Sequence, residues 1–435
     1  MFAPLGIRDF RLLFLGMFVG QALMPLQFVA QIMWVQESAA LDVRIVLVGL
    51  IAAVRGAGMI TFGLYGGALA DRFDRRALLI VTQSSVLVLN LLVALVMIVG
   101  RSHTLGLVAF YALTFVASAL AAVDAPTRQA IVPDILGRRL TAGGIALNSA
   151  AGQIALPVSM FAAGFMIDAF GPGVAYLVGS VGHVAQVLAL VLMRYRTRVR
   201  RSVSAESGLR RTVSDVREGL AYTYNHPVVL WVIVLIVAMM GLGFPAVANL
   251  GPTWITTVVG VPVREFGYVA VTWGAGAFLA SMALTRFSLV ERKGLAVALG
   301  TLGFALSFVI FSIRHTVPFA MVGNFGLGVS MTTAQVSGAT LIQLLVPNEV
   351  RGRVMSVLNL NMGLAQLVTL PLAAVGQLVS LQVLFPTLAF TLLATIALIL
   401  IARPAIWRAR ILQSELDEPR DGPLTRERPG VPRKV

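Results

Sequence analysis

About a dozen apolar runs, separated by short polar joints, dictate what this 435-residue chain can fold into. They fall at 12–35, 45–70, 77–99, 105–123, 142–167, 173–193, 228–250, 266–285, 294–313, 318–345, 354–379 and 383–402. A run of roughly 18 or more apolar residues reads as a membrane-crossing helix, because buried core helices are shorter. Composition agrees: 12% of residues are charged and mean hydropathy is +0.87. A soluble domain carries about 25% charged residues. The first run begins after Arg8, Asp9 and Arg11 and is long enough to span, so it reads as a helix and not a cleaved leader. Cysteine is absent, which excludes disulfides, thiol chemistry and cysteine metal sites.

The net charge of +15 would suit a nucleic-acid binder, but its placement points elsewhere. With the N-terminus inside, only Arg44, Arg101, Arg264 and Arg314 lie outside, and Arg55 lies within a span. That bias puts both termini in the cytoplasm, with the basic excess available to anionic lipid. The expected fold is therefore all-α and integral to the membrane, with twelve transmembrane helices.

The polar stretch from Arg194 to Pro227 divides the runs six and six. This gives an N-terminal bundle (1–193), a cytoplasmic linker (194–227), a C-terminal bundle (228–402) and a charged tail with five prolines (403–435) expected to be disordered. Within the linker, Val213, Val216, Leu220 and Tyr224 have helical spacing and predict a short interfacial helix before Pro227 opens the seventh span. The halves repeat. Gln129-Ala-Ile-Val132-Pro133-Asp134-Ile-Leu136-Gly-Arg-Arg139 matches Gln343-Leu-Leu-Val346-Pro347-Asn348-Glu-Val350-Arg-Gly-Arg353, without gaps, at an offset of 214. Two similar six-span bundles are what alternating access about a midplane site requires.

Between the second and third runs stands Gly66-Gly67-Ala68-Leu69-Ala70-Asp71-Arg72-Phe73-Asp74-Arg75-Arg76. Its small residues let a helix end pack closely, Asp71 suits the positive end of a neighbouring helix, and Arg72, Arg75 and Arg76 suit carboxylates or lipid phosphate. This segment resembles the major facilitator signature G-x-L-A-D-R-x-G-R-[R/K], with Asp74 in place of the second glycine. With FRLLFLG, DAPTRQAIVPDI, ALNSA and AFGPG, the N-terminal half resembles the enterobactin-exporter-like, transmembrane secretion effector branch. The resemblance implies two pseudo-symmetric six-helix bundles. It also implies a conformational gate: Gly67 and Asp71 against the start of the eleventh span near Arg353, and Arg72 in a charge cluster with Asp124, with Arg128 one turn on. After the eighth span, TRFSLVERKG keeps basic residues and lacks an aspartate at the equivalent of Asp71.

Inside the spans, Arg55 is the costly residue and needs a cavity or a partner. The branch commonly carries an arginine there, which implies a binding or bundle-holding role; a structural arginine capping carbonyls is the competing reading. Gln27, Gln31, Asn148, Gln153, Asn359, Asn361 and Gln366 are further pathway candidates, although each alone is more often an interhelical hydrogen bond than a ligand contact. His183 is a candidate proton carrier, although a lone histidine with no carboxylate nearby in sequence is more often a packing or hydrogen-bonding residue. Two features depart from the branch. The Gly-Pro pair of its exporters falls on Ser159 and Met160, and the first span carries Gln21 to Gln27 with no acid. No acidic residue is expected in mid-span, so either Asp124, Asp168 or His183 couples protons or the coupling is of an unusual kind.

The expected function is export of a medium-sized amphipathic organic molecule, siderophore-like or drug-like, by alternating access as a monomer in a bacterial inner membrane. An uptake permease or facilitator is the alternative. A membrane-embedded enzyme would need clustered nucleophiles, acids or metal ligands at depth, and a sensor would add a soluble domain. The expected partners are a small-molecule substrate and membrane lipids, with no nucleic acid, metal or cofactor.

Overall fold

The computed structural model describes residues 3–100, 104–195, 217–286 and 293–408. Within these, the side chains of 63–72 and of scattered positions, among them Gln129, Gln153 and Asn359, are not described. Most of the tail (409–435) and most of the linker (196–216) lie outside the described residues. Every described element is helical. That is how a chain surrounded by lipid satisfies each backbone N–H and C=O without water.

Helices α1 (Arg8–Ser38), α2 (Arg44–Arg72) and α3 (Arg75–Val99) are followed by a helical stretch, Thr104–Leu192. Gly137 (φ 66°) and Gly171 (φ 79°) break this stretch into α4 (104–136), α5 (138–170) and α6 (172–192). Both breaks require positive φ, which glycine adopts without steric cost. Helix α7 (Pro227–Val258) begins with Pro227 at its first position, behind His226, whose ring accepts from the Val229 N–H at 3.4 Å. It takes π turns at Met239–Gly243, Pro245–Leu250 and Trp254–Val258, around two prolines that cannot donate to the ladder. Helices α8 (Phe266–Arg286), α9 (Lys293–Ile313), α10 (Val317–Leu345), α11 (Asn348–Val379) and α12 (Leu381–Ala402) complete the chain.

Ten segments of the described residues are long and apolar enough to cross a membrane. Large apolar side chains stand exposed around the circumference, Leu105, Leu378 and Ile401 among them at 79%, 85% and 78%. Such a surface is stable against lipid and not against water.

The fourth apolar run ends at Asp124, as expected within one residue, but the helix does not: it continues to 136, through Arg128 and Pro133. Asp124 and Arg128 are one turn apart and pair, so the charges that end the apolar run do not end the helix. The 214-residue repeat therefore joins elements differently in the two halves. Val132-Pro133 lies inside α4, whereas Val346-Pro347 separates α10 from α11. A second correspondence is better kept. Gly171 and Ser380 (φ 74°) make the single-residue turns between α5 and α6 and between α11 and α12.

The starts of α1 and α7 and the ends of α6 and α12 share one end of the molecule. There Arg194 donates its N–H to Asp9 at 3.2 Å, and Arg403 lies 4.9 Å over the Trp231 ring. This is the near end; the α1–α2, α7–α8 and α11–α12 turns lie at the far end.

Candidate functional site

Helices of the two halves meet through glycines. A Cβ at Gly49 of α2 would collide with Ala373 of α11, and one at Gly56 would stand 3.0 Å from the Gly363 carbonyl oxygen. On the other side, a Cβ at Gly267 of α8 would strike the Phe161 carbonyl of α5, and one at Gly274 would stand 2.5 Å from Pro157. The four positions are related by a shift of 218: 49 to 267 and 56 to 274. A third pair follows suit, for Gly58 packs on the backbone at Phe115 and Ala119 of α4, and Gly276 on that at Phe325 and Val329 of α10. The signal is visible as GLIAAVRGAG against GYVAVTWGAG, a spacing that the reading of loops passed over.

Polar contacts finish this seam at the far end. The Ile45 N–H donates to Gln377 at 2.8 Å, and the Gln377 amide donates to the Leu41 carbonyl at 3.0 Å. The Gln36 amide donates to Thr253 Oγ1 at 2.7 Å, and Thr256 donates back to Gln36 at 3.2 Å. Leu41 lies in the α1–α2 turn and the other residues in the far halves of their helices, so the described structure is sealed there.

Just inside the seam, half-buried Arg55 donates to Gln31 Oε1 at 2.5 Å and lies 5.3 Å over the Phe28 ring. Gln31, 1% exposed, donates to Tyr176 Oη at 3.3 Å and lies 3.4 Å from Thr114, and Tyr176 donates to Asn90 at 2.9 Å. Gln27 is buried and donates to Ser180 at 3.1 Å. Gln27 and Gln31 thus tie α1 to α4 and α6 in the bundle interior. A mid-helix arginine costs about 2.5–3.5 kcal/mol to insert. No carboxylate among the described residues offsets it.

A second polar cluster lies nearer the near end. Asp124, 9% exposed, binds Arg128 Nε, and Arg128 binds Gln186 of α6. Asp124 Oδ1 is buried with no hydrogen-bond partner. His183, one turn before Gln186, shares a 3.0 Å hydrogen bond with Gln83 and lies within electrostatic reach of both Asp124 and Arg128. Gly20 of α1 makes room for the Gln186 side chain. Asp124 is therefore a buried acid at the inner end of the fourth apolar run. Asp168 is exposed at the far end.

In the second half, Met240 of α7, Gln335 of α10 and Met355, Leu358 and Met362 of α11 line a cleft. Asn361, 6% exposed, lies in its wall with an amide nitrogen that has no partner. Asn148 contacts Met17 Sδ at 3.8 Å.

Of the gate residues, Gly67, Asp71 and Arg72 occupy the last turns of α2, with side chains outside the described residues. Arg353 pairs with Glu218 of a short helix, 217–225, in the linker. That helix lays Gly219 on the Arg353 backbone, buries Thr223, and turns Leu220 and Tyr224 outward. Arg75 pairs with Asp134 at 2.6 Å, and Arg76 donates to the Leu190 and Val191 carbonyls, each at 2.8 Å. Both arginines thus clamp α3 to α4 and α6 within the first half, and Arg76 caps the C-terminus of α6. Asp74, at the place of the signature's second glycine, caps α3 by accepting from the Ala77 N–H at 2.8 Å.

Asn90, Thr114, Tyr176 and Gln186 complete these clusters and escaped the sequence reading. Asn90 and Gln186 were findable as isolated amides in apolar helices, whereas Tyr176 and Thr114 reach the cluster only through packing.

Two helix groups joined by symmetric glycine contacts, with polar clusters buried inside them and ten apolar helices long enough to cross a membrane, fit a membrane transporter of the major facilitator class. The chain belongs to the transmembrane secretion effector family, whose model matches residues 1–428. It is 21% identical to the Staphyloferrin A transporter of Staphylococcus aureus (strain NCTC 8325 / PS 47) over 327 residues, 74% of this chain and 79% of that one. The fold matches a peptide transporter solved with sulfate (TM-score 0.72, 13% identity, covering 94% of this chain and 96% of that one). It also matches a D-xylose–proton symporter (TM-score 0.70, 13% identity, 94% and 98%). Its relatives and family are transporters, not enzymes.

Proposed function

We propose that the chain is a monomeric exporter of the bacterial inner membrane, moving a medium-sized amphipathic molecule, siderophore-like or drug-like, by alternating access. In this reading it crosses the membrane twelve times with both termini in the cytoplasm. The break at Gly171 divides the 157–192 segment into two crossings. Helix α10, 29 residues and about 43 Å long, is the remaining one. The two bundles are 1–193 and 228–402, with 194–227 as cytoplasmic linker. The observation that carries the reading is the far-end seam: two helix pairs related by the same 218-residue shift can open together, as rocking about a midplane site demands.

Gly67, Asp71 and Arg72 would close the cytoplasmic side in the opposite state, docking near Arg353 at the start of α11. Asp124 is the proposed proton carrier, supported by its burial, its unpartnered Oδ1 and its proximity to His183. The relative named for Staphyloferrin A supports a siderophore-like substrate. The test is counterflow and gradient-driven uptake of labelled candidates in inverted vesicles. Uptake that collapses with the proton gradient supports proton-driven export; gradient-independent equilibration means a facilitator.

A further inference from the structure

Among the charges in the interior of the described helices, the least explained is Arg55. Its partners are the neutral Gln31 amide and the Phe28 ring, and no described carboxylate pairs with it. The other embedded cation, Arg128, is already held by Asp124 and Gln186. Arg55 lies 11 residues into a 29-residue helix, about 16 Å from its far end, where lipid headgroups are out of reach.

A purely architectural role is also poorly supported. The G-x6-G-A-G segment of α2 recurs in α8, and the residue standing where Arg55 stands is Trp273. Helix α8 makes the same pair of contacts, to α5 and α10, with an indole at that place. The packing therefore does not need a cation, and what distinguishes the two positions is charge.

Its surroundings suit a ligand. The Gln31–Tyr176–Asn90 chain fixes Gln31 from behind, and Gln31 in turn holds one Nη of Arg55. A guanidinium has five N–H donors in a planar fork, of which this uses one. The remaining donors match a carboxylate or another planar oxyanion. Arg55 is half-buried, next to the Gly56 contact that joins α2 to α11.

We infer that Arg55 is the counter-charge for an anionic group, of carboxylate type, on the transported molecule. The inference rests on the transport reading and specifies its substrate as anionic at one end.

The test uses three probes with one apolar body: 4-phenylbutyrate, 4-phenylbutyramide and 4-phenylbutylamine. Their binding to the purified full-length protein is measured as the concentration dependence of Tm. The wild type should bind the carboxylate about thirtyfold more tightly than the amide, and the amine most weakly. Arg55→Gln should lose that preference while binding the amide as before, and Arg55→Lys should retain part of it. The wild-type ranking decides even where a variant does not fold. Equal binding of carboxylate and amide, binding of none of the three, or a preference that survives in Arg55→Gln overturns the inference. Counterflow of the amide by wild-type protein without any anion preference would leave transport standing and remove only the role of Arg55.

Discussion

Gly56 of α2 and Gly363 of α11 meet backbone to backbone: a methyl group on Gly56 would stand 3.0 Å from the Gly363 carbonyl oxygen and 2.8 Å from the Gln366 Cβ. Their symmetry counterpart is the contact of Gly274 with Pro157. The far end is closed because four helices can approach to backbone contact, not because a bulky plug fills it.

Gly56→Leu should therefore force α2 from α11 and populate the state open at the far end, at an overpacking cost of about 1–3 kcal/mol. A reporter is available, since the chain has no cysteine and Thr369 is fully buried on the far half of α11. Thr369→Cys should react slowly with an impermeant maleimide in the parent and about tenfold faster beside Gly56→Leu, a population shift of about 1.4 kcal/mol. Equal rates would show that the seam does not set accessibility.

Asp124→Asn leaves the Arg128 charge buried and half-paired. Losing one partner of such a pair costs about 3–5 kcal/mol, and replacing both by neutral groups restores much of it. The double variant Asp124→Asn, Arg128→Gln should therefore regain thermal stability without regaining gradient-driven transport. Wild-type accumulation in the double variant would remove Asp124 from proton coupling.

Asp71→Asn should slow transport by about tenfold or more while the folded protein remains in the membrane, since a lost charge-assisted contact at a helix N-terminus is worth about 1.5–3 kcal/mol. Undiminished transport would sink the gate.

Ser380 holds φ 74° and ψ 154°, a region open to glycine and strained for other residues, at the turn whose counterpart is Gly171. Ser380→Gly should raise stability by about 1 kcal/mol, read as a higher Tm by intrinsic fluorescence. An unchanged or lower Tm would mean that the turn is unstrained.

Helix positions were legible because long apolar runs carry their own signal, and predicted limits for α8, α9 and α10 fall within one residue of those observed. The continuation of α4 beyond its apolar run was not, since hydropathy counts Asp124 and Arg128 as two polar residues and is blind to their pairing one turn apart. The candidate amides divide in the same way. Gln31 and Asn361 announced themselves as polar residues in apolar helices, but composition cannot tell the satisfied amide of Gln31 from the unpartnered one of Asn361. The seam itself was written in two copies of G-x6-G-A-G, and its meaning emerges only when α2 lies against α11 and α8 against α5.

The central claim, that transport requires the far-end seam to open, is tested most directly by locking it. Ile45 Cγ2 lies 3.7 Å from where a Cβ on Gly376 would stand. The pair Ile45→Cys, Gly376→Cys is thus within reach of a short thiol cross-linker, with no native cysteine to interfere. The account predicts that cross-linking stops transport in proteoliposomes, and that reductive cleavage of a disulfide-containing linker restores it. Full transport by quantitatively cross-linked protein would contradict it.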